Sequence, residues 1–541
     1  MSINCLPLLL FLAAANALNS NFGAWVQSTS GEVWPKPNSR ALQDDFFIIR
    51  PSMFEFKVDR GTCDIMDQAI TRYAGILLSE AGQPSSAGGE GQLNQSFGDN
   101  ELYKGELHGV RLFMEEDCGS RNSNWPHLHM KESYRLVING SSPMASISAD
   151  SVWGILRGLE TFSQLVTPSG DGTNLKIKCQ VIDDQPHLPH RGLLLDTSRH
   201  FIPVQDILLT LDAMAYNKLN VFHWHIVDDN SFPYESRKFP QFSAKGSFHP
   251  SMVYSQADVR TIVEYARLRG IRVMPEFDTP GHTRSWGMAY PDLLTRCYDA
   301  TGKPNGKLGP MNPTNERVYE VLVDLFYELV EVFPDEYIHL GGDEVPFDCW
   351  ASNQEIINYM AAHNMSRNFV LLESEFITRL LNISARVNTK SIVWQEVFDN
   401  GVTLPTTTAV HVWTGRWQKE LEAATKAGHP VLLSACWYLD HLATGGDWKK
   451  YYNCNPLGFN GAANVKQLML GGEACMWSEF VDRNNLHPRV WPRASAAAER
   501  LWTADAESAE IAAHRLEEHA CRMNRRGIPA QPPNGPGFCP L

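Results

Sequence analysis

Residues 258–277, DVRTIVEYARLRGIRVMPEF, join a helical pattern over Asp258–Arg269 to a short apolar run, Ile271–Phe277, through Gly270. A glycine just beyond the last periodic residue is typical of a helix end. A bounded apolar run of this length is typical of a buried strand. The stretch therefore predicts a helix followed by a strand, which is the repeating unit of an α/β fold.

The same unit recurs along the C-terminal part of the chain. A second helical pattern, Asn315–Phe333, stops before Pro334. The apolar runs number eight: Gly192–Asp196, Leu219–Val227, Ile271–Phe277, Tyr337–Leu340, Ser391–Trp394, Ala409–Trp413, Val431–Ala435 and Leu468–Trp477. Eight buried strands with crossover helices over about 310 residues predict a (β/α)8 TIM barrel. The alternative is an open doubly wound sheet, but no GxGxxG motif follows the first run.

The part of the chain that precedes these runs has a different pattern. An alternating, strand-like segment covers Tyr134–Ile138, and an amphipathic helix pattern covers Val152–Leu165. Mixed elements of this kind predict a smaller α+β domain over residues 18–182. The Pro-rich segment 183–189, DDQPHLP, marks the boundary, so we assign residues 183–541 to the barrel and a C-terminal helix.

Composition limits the classes of protein and partner. The chain has 541 residues, 43% of them hydrophobic and 20% charged, which is enough for large buried cores and excludes disordered, collagen-like and coiled-coil proteins. Lys and Arg number 47 against 61 Asp and Glu, a net charge of −14. With a pI near 5.7 and no long basic run, nucleic acid is not an expected partner.

The first residues predict entry into the secretory pathway. The short apolar run Leu6–Ala15 and the small-x-small pattern Ala15-Asn16-Ala17 are typical of a secretory signal, here residues 1–17. No later segment reaches about 18 consecutive apolar residues, so no transmembrane segment is expected. The chain carries candidate N-glycosylation sites at Asn94, Asn139, Asn364 and Asn382.

Ten cysteines follow the signal segment. An oxidising compartment permits disulfides, but spacing alone does not give their connectivity. No CxxC pair is present, so a structural zinc site is not expected.

Acidic and aromatic residues recur where the predicted strands end, and catalytic residues of TIM barrels gather at these carboxyl ends. They are Arg199, Asp228, His282, Asp343 and Glu344, Trp394, Trp413, Tyr438 with Asp440, and Trp477 with Glu479. Aromatic faces pack against the C–H surfaces of sugars, and charged groups hold hydroxyls. The pattern therefore predicts a carbohydrate site.

The pair Asp343-Glu344 is the sharpest chemical feature of the sequence. It follows Gly341-Gly342, which lets the backbone bend close to a ligand. Two adjacent carboxyls in a confined pocket do not ionise independently, so we expect one raised pKa. A carboxyl of raised pKa can protonate a departing glycosidic oxygen. The alternative is a helix N-terminus that merely carries acids.

A second cluster, His223, His225 and Asp228, suggests a different enzyme. Alternate strand residues point the same way, so both imidazoles could face one metal, as in a metal-dependent sugar isomerase. We favour hydrogen-bonded packing inside the barrel, because no further close His or Cys completes a zinc site. A non-catalytic glycan-binding barrel is the third hypothesis, but it would need a broken acid pair. We expect neither a metal nor a cofactor.

Four motifs together resemble the lysosomal β-N-acetylhexosaminidases of glycoside hydrolase family 20. They are HRGLLLDTSRH (190–200), HWHIVDD (223–229), HLGGDE (339–344) and GEACMW (472–477). The likeness runs in order from about residue 25 to the C-terminus. It implies a retaining exo-hydrolase of terminal β-linked GlcNAc and GalNAc, an enzyme class that is an exception to the two-carboxylate scheme.

The resemblance also implies a role for each site residue. Glu344 is the general acid and then the general base, while Asp343 orients the substrate's 2-acetamido group. The carbonyl oxygen of that group attacks the anomeric carbon and gives an oxazolinium intermediate. Trp394, Trp413 and Trp477 match the residues that surround the acetamido group and the sugar ring, and Tyr438 matches a tyrosine that hydrogen-bonds the substrate. Arg199 and Glu479 match the residues that bind the ring hydroxyls. Asp228 and His282 match residues that support the acids.

Substrate choice depends on Asp440-His441. The α-type chain of the family has Asn-Arg here, and its arginine accepts a 6-sulfated sugar. Asp440 matches the β-type chain instead, and an acid repels sulfate. His441 matches neither type. We therefore expect a preference for neutral sugars.

The family further implies the disulfides Cys63–Cys118, Cys297–Cys349 and Cys521–Cys539. Cys436 and Cys454 depart from its pattern and are expected either to form an extra bridge or to stay free. Family members are dimers, so a homodimer or a heterodimer is expected. The lysosome is the expected compartment, with secretion as the alternative. An acid pH optimum follows if Glu344 must stay protonated while Asp343 is ionised.

Overall fold

The computed structural model describes residues 26–59, 61–81, 101–118, 124–169, 173–441 and 446–539. The signal segment, residues 1–17, and the glycosylation site at Asn94 lie outside these ranges.

The first domain is an eight-stranded mixed sheet with two helices. The strand order is β2-β4-β6-β5-β8-β1-β3, with β7 paired to β8. The strands are β1 Ser39–Ile49, β2 Glu55–Val58, β3 Tyr103–Glu106, β4 Gly109–Met114, β5 Tyr134–Ile138, β6 Met144–Ala149, β7 Thr167–Pro168 and β8 Leu175–Asp184. The helices are α1 Asp64–Glu80 and α2 Val152–Leu165, and a 3-10 turn covers Pro51–Met53. The predicted α+β domain and its helix are confirmed.

Helix α2 lies between this sheet and the barrel. It begins at the Ser151 cap, whose side chain accepts a hydrogen bond from the Trp153 amide, and all of its residues are buried. Arg157 pairs with Glu132 at 2.8 Å and donates to the carbonyls of Arg269 and Gly270. The charge of Arg157 is tolerated on a buried helix because Glu132 and the two barrel carbonyls satisfy its donors.

The second domain is a closed barrel of eight parallel strands. The order around the barrel is β9-β10-β11-β14-β15-β16-β17-β18, and β18 pairs with β9. The strands are β9 His190–Asp196, β10 Val221–Val227, β11 Arg272–Phe277, β14 Tyr337–His339, β15 Lys390–Trp394, β16 Ala409–Val412, β17 Val431–Leu433 and β18 Met469–Met476. All eight predicted runs are strands, and closure of the sheet overturns the doubly wound alternative. An antiparallel hairpin, β12 Leu294–Tyr298 and β13 Pro304–Met311, is inserted after β11.

Closure of the barrel requires glycine in β18. A Cβ at Gly471 would lie 1.7 Å from the His190 carbonyl oxygen of β9, and the residue has φ +146°. A Cβ at Gly472 would lie 2.1 Å from the Leu433 carbonyl oxygen of β17. Strand β18 therefore approaches both neighbours more closely than other residues permit.

Helices surround the barrel and fill its loops. They are α3 Val204–Tyr216, α4 Gln241–Gly246, α5 Gln256–Arg267, α6 Arg284–Ala289, α7 Glu316–Val332, α8 Phe347–Ser352, α9 Gln354–Ala362, α10 Phe369–Arg386, α11 Gln395–Asp399, α12 Trp417–Lys426, α13 Trp448–Tyr452, α14 Ala463–Lys466, α15 Leu486–Val490, α16 Arg493–Trp502 and α17 Ala509–Arg525, with a 3-10 turn at Pro291–Leu293. Helix α5 begins two residues before its predicted start, because Ser255 and Asp258 form a capping box. No helix in the described ranges is long and apolar enough to cross a membrane.

The first domain extends beyond the predicted boundary at residue 182, and the C-terminal helix contacts it as well. Strand β8 continues to Asp184, with Asp183 paired to both Arg135 and Ser39, and the first barrel strand begins at His190. The C-terminal helix α17 also returns to the first domain, where Arg522 donates to the Gln164 side chain at 3.1 Å.

The structure contains four disulfides. The three predicted pairings, Cys63–Cys118, Cys297–Cys349 and Cys521–Cys539, are present. Cys436 and Cys454 form the extra bridge that the sequence left open. Of the cysteines in the described ranges, Cys179 and Cys475 are free and buried.

Candidate active site

Four aromatic side chains form walls at the carboxyl end of the barrel. Trp394 and Trp477 have ring centroids 6.1 Å apart, and Trp413 stacks on Tyr438 at 5.9 Å. Tyr438 lies 6.4 Å from Trp477, which joins the two pairs. Trp394 and Trp477 are only 1% and 9% exposed, so their edges are fixed by packing. The four predicted aromatic residues therefore form a single surface that suits the C–H face of a sugar.

Asp228, directly after β10, is the acceptor for three cationic groups. It lies 2.8 Å from Arg199, 2.9 Å from His225 and 3.2 Å from His282. Burial raises the pKa of Asp228, but the hydrogen bonds from His225 and His282 and the charge of Arg199 hold it well below its usual range. Asp228 is therefore a carboxylate that holds both Arg199 and His282 in position.

His282 joins Asp228 to the predicted catalytic pair. Its Nδ1 faces Asp228, while its Nε2 lies 3.8 Å from Asp343 Oδ2 and 3.7 Å from Glu344 Oε2. Burial lowers the pKa of His282, but the charges of Asp278, Asp343 and Asp228 and the Asp228 hydrogen bond outweigh it and raise the pKa to about 11. The ring is therefore an imidazolium at acid and neutral pH.

The Gly341-Gly342 turn brings the pair close to the end of β11. The Gly342 amide donates to Asp278 Oδ1 at 2.9 Å. The φ angles of Gly341 and Gly342 are +72° and +98°, and Glu344 follows at φ +50°. A left-handed conformation costs a non-glycine residue about 1–2 kcal/mol. Such strain is typical of functional sites, and here it leaves the Glu344 side chain 61% exposed at the rim.

Asp278 is a site residue that we did not predict from the sequence. Burial and the neighbouring charge of Asp343 raise the pKa of Asp278 well above its usual range, and the two carboxyls have oxygens within 4.8 Å of each other. We expected the charge conflict between Asp343 and Glu344; the structure places it between Asp278 and Asp343. The signal was available, because Asp278 directly follows β11.

Two other acids, Glu276 and Glu396, hold the aromatic walls. Trp394 Nε1 donates to Glu276 Oε1 at 2.8 Å. Trp413 Nε1 donates to both Glu396 oxygens at 2.9 and 3.0 Å. Burial raises the pKa of Glu396 to about 7, although the Trp413 hydrogen bond lowers it. The position of Glu396, two residues after Trp394, was the only sequence signal for these roles.

Asp440 and His441, the residues predicted to select the substrate, follow Tyr438 in the segment after β17. The His441 ring is 5.6 Å from the Tyr438 ring, and both line a pocket of about 210 Å³ with Trp413. Burial raises the pKa of Asp440, while the charge of His441 lowers it. Glu479 is exposed, and its charge acts on both Asp440 and Arg199.

A second cavity, of about 610 Å³, opens beside Glu344 and His282. Arg284, Lys307 and the Cys297–Cys349 disulfide also line it. Because Glu344 lines it, this cavity offers space for a leaving group next to the predicted acid. A larger groove of about 930 Å³ lies on the first domain and contains none of the predicted site residues.

The histidines of the sugar-isomerase hypothesis bind protein carboxylates. His223 Nδ1 lies 2.7 Å from Glu473, and His225 lies 2.6 Å from Glu276 and 2.9 Å from Asp228. These distances are those of direct hydrogen bonds. The cluster is hydrogen-bonded inside the barrel, as we favoured, but the reason given from the sequence was wrong, because His339 and His411 also lie against His223 at ring distances of 4.7 and 6.1 Å.

A parallel eight-stranded barrel with carboxyl groups and aromatic walls at its carboxyl rim is typical of a glycoside hydrolase. Residues 188–505 match the family profile "Glycosyl hydrolase family 20, catalytic domain", and residues 33–165 match "beta-acetyl hexosaminidase like". The chain therefore belongs to glycosyl hydrolase family 20.

Relatives are found over nearly the whole chain. Human beta-hexosaminidase subunit beta is 46% identical over 517 residues, which cover 94% of this chain and 89% of that protein. Rat beta-hexosaminidase subunit alpha is 45% identical over 518 residues, 94% of each chain. The structure of Flavobacterium johnsoniae chitobiase aligns with a TM-score of 0.77 at 29% identity, covering 92% of this chain and 73% of that one. The protein is a glycoside hydrolase of the β-N-acetylhexosaminidase type, and the isomerase and binding-module hypotheses are not favoured.

Proposed function

We propose that this protein removes terminal β-linked GlcNAc and GalNAc from glycan chains, with retention of configuration, by substrate-assisted catalysis. The observation that carries the proposal is the geometry at His282. Asp343 and Glu344 approach the same ring nitrogen, at 3.8 and 3.7 Å, so the two carboxyls lie on one side of the site. In family 20 the substrate, and not a second enzyme carboxylate across the sugar, supplies the nucleophile.

Glu344 and Asp343 divide the chemistry between them. Glu344, exposed beside the leaving-group cavity, donates a proton to the glycosidic oxygen as the bond to the anomeric carbon breaks. Asp343 accepts from the acetamido N–H and holds the carbonyl oxygen against the anomeric carbon, where it forms the oxazolinium ring. Glu344 then takes a proton from water, which attacks the anomeric carbon, reopens the ring and restores the acetamido group.

Asp278 holds the Asp343 side chain in place. Since its raised pKa makes Asp278 the protonated partner, its hydroxyl donates to Asp343 while its other oxygen accepts from the Gly342 amide. Asp343 is then free to act as the negative partner of the acetamido group and of the positive charge that develops in the transition state.

The remaining site residues bind the sugar. Trp394, Trp413 and Trp477 enclose the acetamido group and the ring, and Tyr438 donates a hydrogen bond from the same wall. Arg199 and Glu479 hold ring hydroxyls, with Arg199 fixed by Asp228 at 2.8 Å. Charged groups anchored in this way give directional hydrogen bonds at little entropic cost.

The neutral-sugar preference rests on Asp440. An acid at this rim position repels a sulfate or carboxylate on the bound sugar. The similar identities of the human β subunit and the rat α subunit to this chain do not separate the two types. Asp440 is therefore the feature that favours β-type selectivity.

The protein enters the secretory pathway and acts in the lysosome as a homodimer or heterodimer. Four disulfides favour an oxidising route, and Asn139, Asn364 and Asn382 are exposed and accessible to glycosylation. Light scattering of the purified glycoprotein measures the dimer directly, and a monomeric mass would contradict it.

The role of Glu344 is tested by Glu344→Gln with two leaving groups. A dinitrophenyl glycoside needs little acid assistance, whereas a β-linked disaccharide of GlcNAc needs it fully. We expect kcat/KM to fall by about a hundredfold or more on the disaccharide and much less on the dinitrophenyl substrate. The matched control is Glu355→Gln, on the exposed start of α9, which leaves both rates unchanged. Equal losses on the two substrates would show that Glu344 is not the acid.

A further inference from the structure

The interior of the barrel below the aromatic walls is filled by ionisable side chains. They are His190, His223, His225, Glu276, His339, His411 and Glu473, each at most 1% exposed. Barrel interiors are usually packed with branched apolar residues. Taking a charge out of water costs several kcal/mol, so a buried ionic cluster is weak evidence for stability and needs another reason.

The cluster forms a chain in which acids and bases alternate. Glu473 lies 2.7 Å from His223 Nδ1, and His223 Nε2 lies 2.9 Å from Glu276 in an ion-pair contact that is not aligned as a hydrogen bond. Glu276 Oε2 accepts from His225 Nδ1 at 2.6 Å, and His225 Nε2 donates to Asp228 at 2.9 Å. The chain therefore reaches the rim at Asp228, which faces His282.

Glu276 is the branch point of this chain. One of its oxygens accepts from Trp394 Nε1 at 2.8 Å, and the other accepts from His225. The first contact fixes the orientation of an aromatic wall. The second fixes His225, then Asp228, and through Asp228 the ring of His282 beside the acid pair.

We propose that Glu276 is a positioning residue for the hydrolytic reaction, one carboxylate that sets both the Trp394 wall and the Asp228–His282 pair. The proposal rests on the site roles given under Proposed function. Glu276 touches neither the sugar nor the reacting atoms, and it acts through the side chains that it holds.

The charges along the chain support this role. His225 is hydrogen-bonded to a carboxylate through each nitrogen, which requires both nitrogens to carry protons. Burial lowers the pKa of His225, but Glu276 and Asp228 raise it to about 10, against the opposing charge of Arg199. The groups that face Glu276 are His223, His225, His339 and Trp394.

Removal of the Glu276 charge therefore lowers the pKa of His225. Once His225 loses a proton, only one of its two carboxylate contacts remains a hydrogen bond, and Asp228 loses a donor. The alkaline limb of the activity profile then moves to lower pH, an effect that loss of packing alone does not produce.

The test is Glu276→Gln, which keeps the size of the side chain and an acceptor for Trp394. We expect kcat/KM on an aryl β-GlcNAc to fall by about tenfold or more, mainly in kcat, and the alkaline limb to shift to lower pH. Glu132→Gln is the matched control, because Glu132 is also buried and pairs with two arginines, Arg157 and Arg191, away from the rim. This control loses stability but keeps the wild-type rate and pH profile.

A folded Glu276→Gln enzyme with kcat/KM within about twofold of wild type and an unchanged pH profile overturns the proposal. If this variant does not fold, His225→Gln decides by rate alone, since it breaks the link to Asp228 and leaves the Trp394 contact in place; a folded His225→Gln enzyme with kcat/KM within about twofold of wild type overturns the proposal. Wild-type enzyme without activity on the aryl β-GlcNAc would instead refute the proposed function. Active wild type with unaffected variants refutes only the role of Glu276.

Discussion

Gly341→Ala tests whether the acid pair depends on close approach to Asp278. A Cβ at position 341 would lie 1.8 Å from Asp278 Oδ1 and 2.7 Å from the Asp278 Cα. Rotation of the Asp278 side chain relieves only the first contact, because the second involves backbone. The end of β11 and the Gly341-Gly342 turn must therefore separate.

The size of the effect follows from the bonds that separation breaks. A left-handed alanine at φ +72° costs about 1–2 kcal/mol of folding free energy. Asp278 also loses its hydrogen bond from the Gly342 amide and the hydrogen bond to Asp343 that we propose for its protonated form. A hydrogen bond to a charged group is worth about 1.5–3 kcal/mol. If the Asp343 bond is needed in the transition state, kcat/KM falls by about ten- to a hundredfold.

The assay is kcat/KM on an aryl β-GlcNAc together with the thermal midpoint of unfolding. Gly401→Ala is the matched control, because Gly401 has φ +77° and no atom within 4 Å of its added Cβ. An alanine at position 401 has the same unfavourable left-handed backbone but no steric overlap. Its unfolding midpoint should therefore fall while its kcat/KM stays at the wild-type value. The reasoning is refuted if Gly341→Ala keeps kcat/KM within about twofold of the Gly401→Ala enzyme.

Three further predictions concern charge. Asp278→Asn keeps a donor to Asp343, so kcat/KM should stay within about tenfold of wild type, whereas Asp278→Ala should lose distinctly more; equal losses would mean that Asp278 is not the protonated partner. Asp440→Asn combined with His441→Arg should raise activity on a 6-sulfated aryl GlcNAc, and no rise counts against the selectivity assigned to Asp440. The free energy of unfolding, measured by urea denaturation, should decrease as pH rises from about 7 to 9. The buried histidines of raised pKa bind protons that the unfolded chain releases near 6.5, so their stabilisation is complete below that pH and is lost on approach to about 9–11. Each such proton is worth about 1.4 kcal/mol per pH unit, and a flat profile over this range would contradict the assignment.

The barrel and its rim were predictable because they depend on local pattern. Each buried strand is a short apolar run, and the residue that follows it in a parallel barrel lies at one edge whatever the tertiary detail. Trp394, Trp413 and Trp477 could therefore be placed from their positions alone. The first domain's boundary was less predictable, since β8 continues to Asp184 through pairing with distant strands.

Contacts between strands could not be predicted in the same way. Glu276 on β11 reaches Trp394 on β15, past the intervening strand β14, and that contact depends on the register and tilt of strands far apart in sequence. Neighbouring positions in the sequence also did not show which carboxyl groups interact. The left-handed backbone of Glu344 leaves its side chain exposed, while Asp278, more than sixty positions earlier in the chain, lies beside Asp343 and raises the local density of carboxyl groups.

The central claim is that the substrate's acetamido group is the nucleophile and that Asp343 directs it. The most direct measurement compares hydrolysis of an aryl β-GlcNAc with that of the matching aryl β-glucoside, by wild type and by Asp343→Asn. The account predicts that wild type cleaves only the acetamido sugar and that Asp343→Asn, folded as judged by its unfolding midpoint, loses about a hundredfold or more in kcat. Equal cleavage of both sugars by wild type would mean that an enzyme carboxylate attacks the anomeric carbon, and would contradict the account.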